Sequence, residues 1–166
     1  MNRLEPENMK TPSHNHSGYA LPVMQTIIAH AETESAILRC FPVMSQLRPH
    51  LIESEFVARV SRQQERGYKL AYLETDSQLR ALAGYRYAEN LPWGRFCYVD
   101  DLVTDSAGRS KGFGQKLFAW LVAQAREAGC EQLHLDSGVQ NFDAHRFYLT
   151  QRMAIASHHF SLRLSR

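Results

Sequence analysis

The chain has 166 residues, 44% of them hydrophobic, and 19 Lys and Arg against 17 Asp and Glu give a formal net charge of +2. That length and apolar content predict one domain with a sizeable core, and so small a charge, with no dense basic run, argues against nucleic acid as a partner. Cys40, Cys97 and Cys130 are widely spaced and without a metal-ligand pattern, so they predict small buried thiols in a reduced cytoplasmic protein rather than a disulfide framework.

Residues 1–22 are polar and punctuated by Pro6, Pro12, Gly18 and Pro22. They are expected to form a disordered or loosely attached tail, with residues 23–166 as the domain. The tail lacks the apolar core of a signal peptide, and no run elsewhere approaches a membrane span, so no membrane partner is expected. His14 and His16 have no companions to complete a metal site, and no metal is expected. A short strand is predicted over 24–31 and a helix over 34–47, where Ile37, Phe41 and Met44 form a stripe. Pro42 falls inside that helix and is expected to kink or divide it. A second helix is predicted over 53–65, with Phe56, Val57 and Val60 inward and Gly67 as its stop. Strands over 68–74 and 79–88 flank the turn-like Thr75-Asp76-Ser77, and a third begins near Phe96, which makes an antiparallel meander. Trp93, on the connection into that third strand, is expected to pack on the sheet edge, the alternative being to cover a substrate site.

The third strand, 96–103, leads into Arg109-Ser110-Lys111-Gly112-Phe113-Gly114, after which Phe113, Leu117, Leu121 and Ala125 recur every fourth residue. Phe118 and Val122 widen that stripe, so the pattern is strand, glycine loop, amphipathic helix. The first turn of a helix has backbone N–H groups without intrahelical partners and the positive end of the helix dipole, which together favour a bound anion. Gly112 and Gly114 would let a phosphate approach the backbone, and Arg109 and Lys111 add positive charge. Alternatively, the glycines serve only a tight strand-to-helix turn. A dinucleotide fingerprint is excluded because Leu117 stands where its third glycine belongs, and a Walker loop because Gly114 is followed by Gln115-Lys116-Leu117.

Asp100 and Asp101 are unusual in a strand interior, and simple alternation would send at most one of them to a given face. A strand over 132–136 follows the helix end at Gly129, and then comes Asn141-x-x-Ala144-x-x-Phe147-Tyr148 on a further helix. The last strand is predicted over 157–164, with His158, Phe160 and Leu162 on one face and His159, Ser161 and Arg163 on the other.

In order and spacing, Arg109-x-x-Gly112-x-Gly114 and Asn141-x-x-Ala144-x-x-Phe147-Tyr148 resemble the GNAT superfamily of N-acetyltransferases over roughly the last seventy residues. The resemblance implies an α/β fold: a mixed, largely antiparallel sheet flanked by helices, with splayed central strands that bind acyl-CoA. It assigns Arg109, Ser110, Lys111, Gly112, Phe113 and Gly114 to the pyrophosphate of acetyl-CoA, Leu102, Val103 and Thr104 to its pantetheine arm, and Asn141 to a further cofactor contact. It implies a β-bulge near Asp100 and Asp101, and it sets the helices over 34–47 and 53–65 beside the acceptor cleft. Direct acetyl transfer to a primary amine follows, with a strand N–H polarising the thioester carbonyl and the Tyr148 hydroxyl protonating the departing thiolate. Asp136 occupies the position of a catalytic Glu in some protein N-terminal acetyltransferases of the family, and Asp101 is the other carboxylate expected to attract or deprotonate the amine. The expected partners are acetyl-CoA and an amine of a small molecule or peptide, with an exposed sheet edge able to pair in a homodimer. The alternative is a regulatory module that binds acyl-CoA without turnover.

Overall fold

The computed structural model of the chain describes residues 26–164. The tail expected over 1–22, with His14 and His16, lies outside the described residues. Helix α1 (Glu34–Leu47) begins where Thr33 accepts a hydrogen bond from the Ala36 N–H at 3.2 Å, a Thr N-cap backed by Glu34 in the first turn. Pro42 does not divide it. The helix runs unbroken, and the bond Pro42 cannot donate would have gone to the carbonyl of Leu38, a residue on the exposed side where water can substitute. Helix α2 (Glu53–Gln64) follows, and its Phe56 and Val60 are buried as the spacing predicts.

Strands β1 (Thr26–His30), β2 (Lys69–Thr75), β3 (Gln78–Asn90) and β4 (Gly94–Thr104) form an antiparallel meander, and β5 (Gln132–Leu135) joins β4 in parallel. Between β4 and β5 the chain makes a 3-10 turn (Ser106–Gly108) and helix α3 (Phe113–Glu127); helix α4 (Phe142–Thr150) follows β5. Alternation along the strands sends Leu70, Leu82 and Val103 to one face, where α1 and α2 cover them with Ile37, Cys40, Met44 and Phe56. Ala71, Leu73, Ala83, Tyr85, Cys97 and Val99 go to the other face, against Phe113, Leu117, Leu121 and Ala125 of α3. The stripe read from the sequence is therefore the face α3 buries. Helix α4 docks on α3 through Phe147, whose ring meets Phe118 edge-on at 5.9 Å. Trp93 stacks on His134 of β5 at 3.9 Å between ring centroids, the sheet-edge role expected for it.

Two irregularities position the site. Strand β5 pairs with β4 only over Phe96–Val99, so β4 runs on to Thr104 with no strand on that side. At the same point the β3–β4 register slips, Gly84 facing Asp101 and Tyr85 facing Val99, which leaves Asp100 as the extra residue of a β-bulge.

The strand expected over 157–164 is absent. Residues 153–164 take no regular structure, and Phe160, Leu162 and Leu164 lie exposed. Alternation decides which faces a strand would have, but a strand forms only where an edge receives its hydrogen bonds. Among the described residues, no helix is long and apolar enough to cross a membrane.

Leu117 is fully buried between α3 and the sheet. Leu117→Ala should destabilise the fold by ~2–5 kcal/mol, read as a lower urea midpoint at unchanged slope.

Candidate active site

The loop that enters α3 is built on two left-handed residues, Ser110 (φ 62°) and Gly112 (φ 80°). A Cβ at Gly112 would meet nothing within 4 Å, so glycine is required there by its backbone angle rather than by space. Gly114 is different. Its φ is not positive, and a Cβ would come 2.8 Å from Oγ1 of Thr104, so this glycine lets α3 pack closely on the end of β4. Beside the anion-approach role expected of both glycines, the backbone thus sets a distinct requirement at each. Together they bring the first turn of α3, with its unpartnered N–H groups, beside the unpaired stretch of β4.

A cleft of about 1250 Å³ opens along that junction. Leu102, Val103 and Thr104 line it from β4, Arg109, Ser110, Gly112, Phe113 and Gly114 from the loop and α3, and Asn141 and Tyr148 from α4. Lys111 is exposed and is not part of the wall. In a strand bonded on one edge only, alternate residues turn their N–H and C=O to the other edge, so β4 presents backbone donors and acceptors to the cleft. Asn141 stands at the start of α4 but makes no side-chain capping bond, which leaves its amide available. Tyr148 lies two turns further along α4, on the same side as Asn141. Burial raises the pKa of Tyr148, so its hydroxyl keeps its proton at neutral pH.

A second cavity, of about 630 Å³, adjoins β4 one step earlier along the strand, with Tyr98, Asp100, Asp101, Asp136, Arg48 and Tyr68 among its walls. The bulge explains why consecutive aspartates share it. Asp101 is held at both oxygens, Oδ1 by Nε of Arg48 at 2.8 Å and Oδ2 by the hydroxyl of Tyr68 at 2.9 Å. Arg48 also donates to the carbonyl of Asp100, and Arg86 Nε donates to the Asp100 carboxylate at 2.9 Å. Asp136 follows β5 and is about half exposed. The Tyr98 hydroxyl donates to its Oδ2 at 2.6 Å, and Nδ1 of His159 approaches the same oxygen at 3.0 Å. Burial and the neighbouring Asp136 push the Tyr98 phenol up, so Tyr98 remains a donor.

The expected residues therefore fall into two groups along one strand: the nucleotide-loop residues with Asn141 and Tyr148 in the larger cleft, Asp101 and Asp136 in the smaller cavity. Sequence reasoning missed Arg48, Tyr68, Tyr98 and Gly84. A Cβ on Gly84 would stand 1.9 Å from the Tyr68 oxygen and 2.7 Å from Asp101, so this glycine makes room for the Tyr68–Asp101 pair. A glycine inside an otherwise apolar strand was the available signal.

An α/β sheet that parts beside a helix N-terminus, with polar groups converging on the gap, makes a ligand cleft of mixed backbone and side-chain walls. The profile of the Acetyltransferase (GNAT) family matches residues 34–153, and the chain belongs to that family. It is 37% identical over 109 residues to the uncharacterized N-acetyltransferase YhdJ of Bacillus subtilis (strain 168), spanning 65% of this chain and 77% of that one. A shorter match, 38% identical over 53 residues, is to the aminoalkylphosphonate N-acetyltransferase of Salmonella typhimurium, covering 32% of this chain and 34% of that protein. The fold superposes on aminoglycoside N-acetyltransferase AAC(6')-Iy in complex with CoA at a TM-score of 0.77 and 12% identity, covering 86% of this chain and 97% of the other. The protein is an N-acetyltransferase, with acetyl transfer to an amine as its reaction.

The contact between Gly114 and Thr104 is open to a double-variant test. Gly114→Ala should destabilise the protein by ~1–3 kcal/mol, and adding Thr104→Ala should recover most of that loss in urea titrations.

Proposed function

We propose that the larger cleft holds acetyl-CoA and that the smaller cavity takes a small polar primary amine. The observation that carries this reading is that the α3 N-terminus and the unpaired edge of β4 border a single cleft with Tyr148. The residues fit the cofactor. The N–H groups at the start of α3 and the Arg109 side chain suit a pyrophosphate, and the open backbone of Leu102, Val103 and Thr104 suits an amide-bearing arm. Asn141 adds a side-chain amide on the opposite wall. When bound, acetyl-CoA supplies an activated acetyl thioester.

The protein's own part is proton management and orientation. Tyr148, kept protonated by burial, donates to the departing thiolate. An N–H of the 102–104 stretch donates to the thioester carbonyl oxygen. Asp100 and Asp136 each keep Oδ1 without a partner among the described residues, but Asp100 is held by Arg86 whereas Asp136 is the more exposed and has no Arg partner, so Asp136 takes the proton lost by the amine, directly or through a water. Asp101, engaged at both oxygens, contributes negative field and holds Arg48 and Tyr68 in place. Aminoglycosides and aminoalkylphosphonates, the compounds in the relatives' names, both carry amines, and a cavity of about 630 Å³ with three carboxylates suits the cationic kind better than one that also bears an anionic phosphonate. Free thiols at Cys40, Cys97 and Cys130 suit a reducing, cytoplasmic setting.

Calorimetric titration with CoA tests the cofactor half. Wild type should bind, and Gly112→Asp, folded but carrying a strained backbone and a negative charge at the helix start, should not; a wild type that binds neither CoA nor acetyl-CoA overturns the reading. Thiol release in an amine screen tests the chemistry. Tyr148→Phe should lower kcat about 10²–10⁴-fold with little change in acetyl-CoA affinity, and unchanged turnover would remove Tyr148 as the acid. Because the folded Tyr148 pKa is raised, the alkaline loss of kcat that it causes should lie above pH 10, the ordinary phenol value.

A further inference from the structure

We propose that Gln46 is a positioning residue for the cofactor loop: from the last turn of α1 it grips the turn that follows β4 and so sets where the loop entering α3 lies. The proposal rests on the reading that the larger cleft holds acetyl-CoA.

Gln46 uses both ends of its amide. Nε2 donates to Oδ1 of Asp105 at 3.0 Å, and Oε1 accepts the Ser106 N–H at 2.9 Å. An N–H in the first turn of a helix commonly finds its acceptor on the capping side chain just before it. Asp105 stands at that position for the 3-10 turn, yet its side chain makes no capping bond. Its carboxylate instead has Oδ1 on Gln46 and Oδ2 3.6 Å from Nη1 of Arg80. Gln46 thus supplies, from another element, the acceptor that the turn does not supply for itself. With one donor end and one acceptor end, its amide matches the carboxylate and the N–H together.

The grip matters because of where the chain goes next. As far as Asp105 the chain is tied to β3: Thr104 faces Ala81, and the Asp105 N–H donates to the Arg80 carbonyl at 2.8 Å. Beyond it the chain leaves the sheet. Among the described residues, the Ser106–Gln46 bond is the one hydrogen bond that joins 106–112 to a distant part of the chain. That stretch includes the left-handed Ser110 and Gly112, and it places Arg109 on the cleft wall. Ordering a loosely anchored segment on binding lowers affinity, and a residue that orders it beforehand removes part of that loss. Arg48, at the end of the same helix, holds the Asp101 carboxylate and the Asp100 carbonyl. The end of α1 therefore grips the chain on both sides of Leu102, Val103 and Thr104, the stretch of β4 with an open edge.

Gln46 itself borders the larger cleft whereas Asp105 does not, so exchanging their roles separates positioning from direct contact with the cofactor. Calorimetric titration with CoA on the full chain reads the result. Gln46→Leu should weaken binding about 5–30-fold. Gln46→Glu should weaken it at least as much, because it sets carboxylate against carboxylate. Adding Asp105→Asn to Gln46→Glu reverses donor and acceptor and should recover most of the loss, while Asp105→Asn alone should not improve on wild type. Gln46 is exposed, and the variants should keep the wild-type far-UV spectrum. Wild-type affinity in Gln46→Leu overturns the proposal and leaves the acetyl-CoA reading standing. A Gln46→Glu loss that Asp105→Asn does not recover overturns it too, since that pattern marks a direct contact. Should Gln46→Glu fail to fold, Asp105→Ala decides: it should reproduce the Gln46→Leu loss, and wild-type affinity there overturns the proposal. A wild type that binds no CoA removes the reading and the proposal together.

Discussion

The parting of β4 from β5 after Val99 is the constraint on which the rest of the structure depends. Strand β5 is four residues long and ends at Leu135, while β4 stays bonded to β3 as far as Thr104. The outer edge of β4 therefore loses its partner midway, and buried backbone polar groups without partners are costly. A protein closes such a gap with another strand, with water, or with a ligand rich in amides. Here the gap is kept open on one side by α4, which Phe147 anchors to Phe118 of α3, and on the other by the loop entering α3. The bulge at Asp100 lies at the same point, so a single interruption of regular pairing creates the cleft and turns two aspartates toward the neighbouring cavity.

The packing that stabilises the fold also aims the chemistry. Phe113, Leu117, Leu121 and Ala125 commit one side of α3 to the sheet, and that commitment fixes where its N-terminus ends up. With Gly114 in contact with Thr104, the helix start cannot move away from the strand without opening a void. Backbone N–H groups at a helix start attract an anion without a charged side chain, and here Arg109 on the cleft wall adds one while Lys111 lies outside it. On the other face, α1 and α2 carry Arg48 and the residues around Tyr68 to the mouth of the smaller cavity. The helices beside the smaller cavity thus contribute groups that hold its carboxylates.

Elements governed by local periodicity were legible in the sequence. The stripe of α3 and the buried Phe56 and Val60 of α2 follow from spacing alone. Pro42 misleads because its cost depends on whether the orphaned Leu38 carbonyl can reach water, which spacing does not encode. The strand read over 157–164 fails for a related reason: its alternation is real, but a strand is a property of two edges. At the larger cleft, the loop residues could be singled out because the glycine pattern is contiguous. The Arg48–Asp101–Tyr68 arrangement could not, since its two bonds to Asp101 each join residues more than thirty apart, from the end of α1 and the start of β2 to the bulge of β4. Gly84 alone hinted at it.

That arrangement also separates the two carboxylates that sequence reasoning treated as equals. To take a proton, Asp101 would have to give up or weaken a bond to the Arg48 guanidinium or the Tyr68 hydroxyl, and bonds to charged donors are among the stronger ones in a protein. Asp136 accepts from Tyr98 on Oδ2, which Nδ1 of His159 also approaches, and keeps Oδ1 without a partner among the described residues, at a position about half open to solvent. A base that accepts a proton from an incoming amine and passes it to water needs that openness, whereas a carboxylate that fixes the shape of a cavity needs the opposite. The two aspartates therefore differ in setting: Asp101 is tied into the wall of the smaller cavity by Arg48 and Tyr68, whereas Asp136 stands about half exposed.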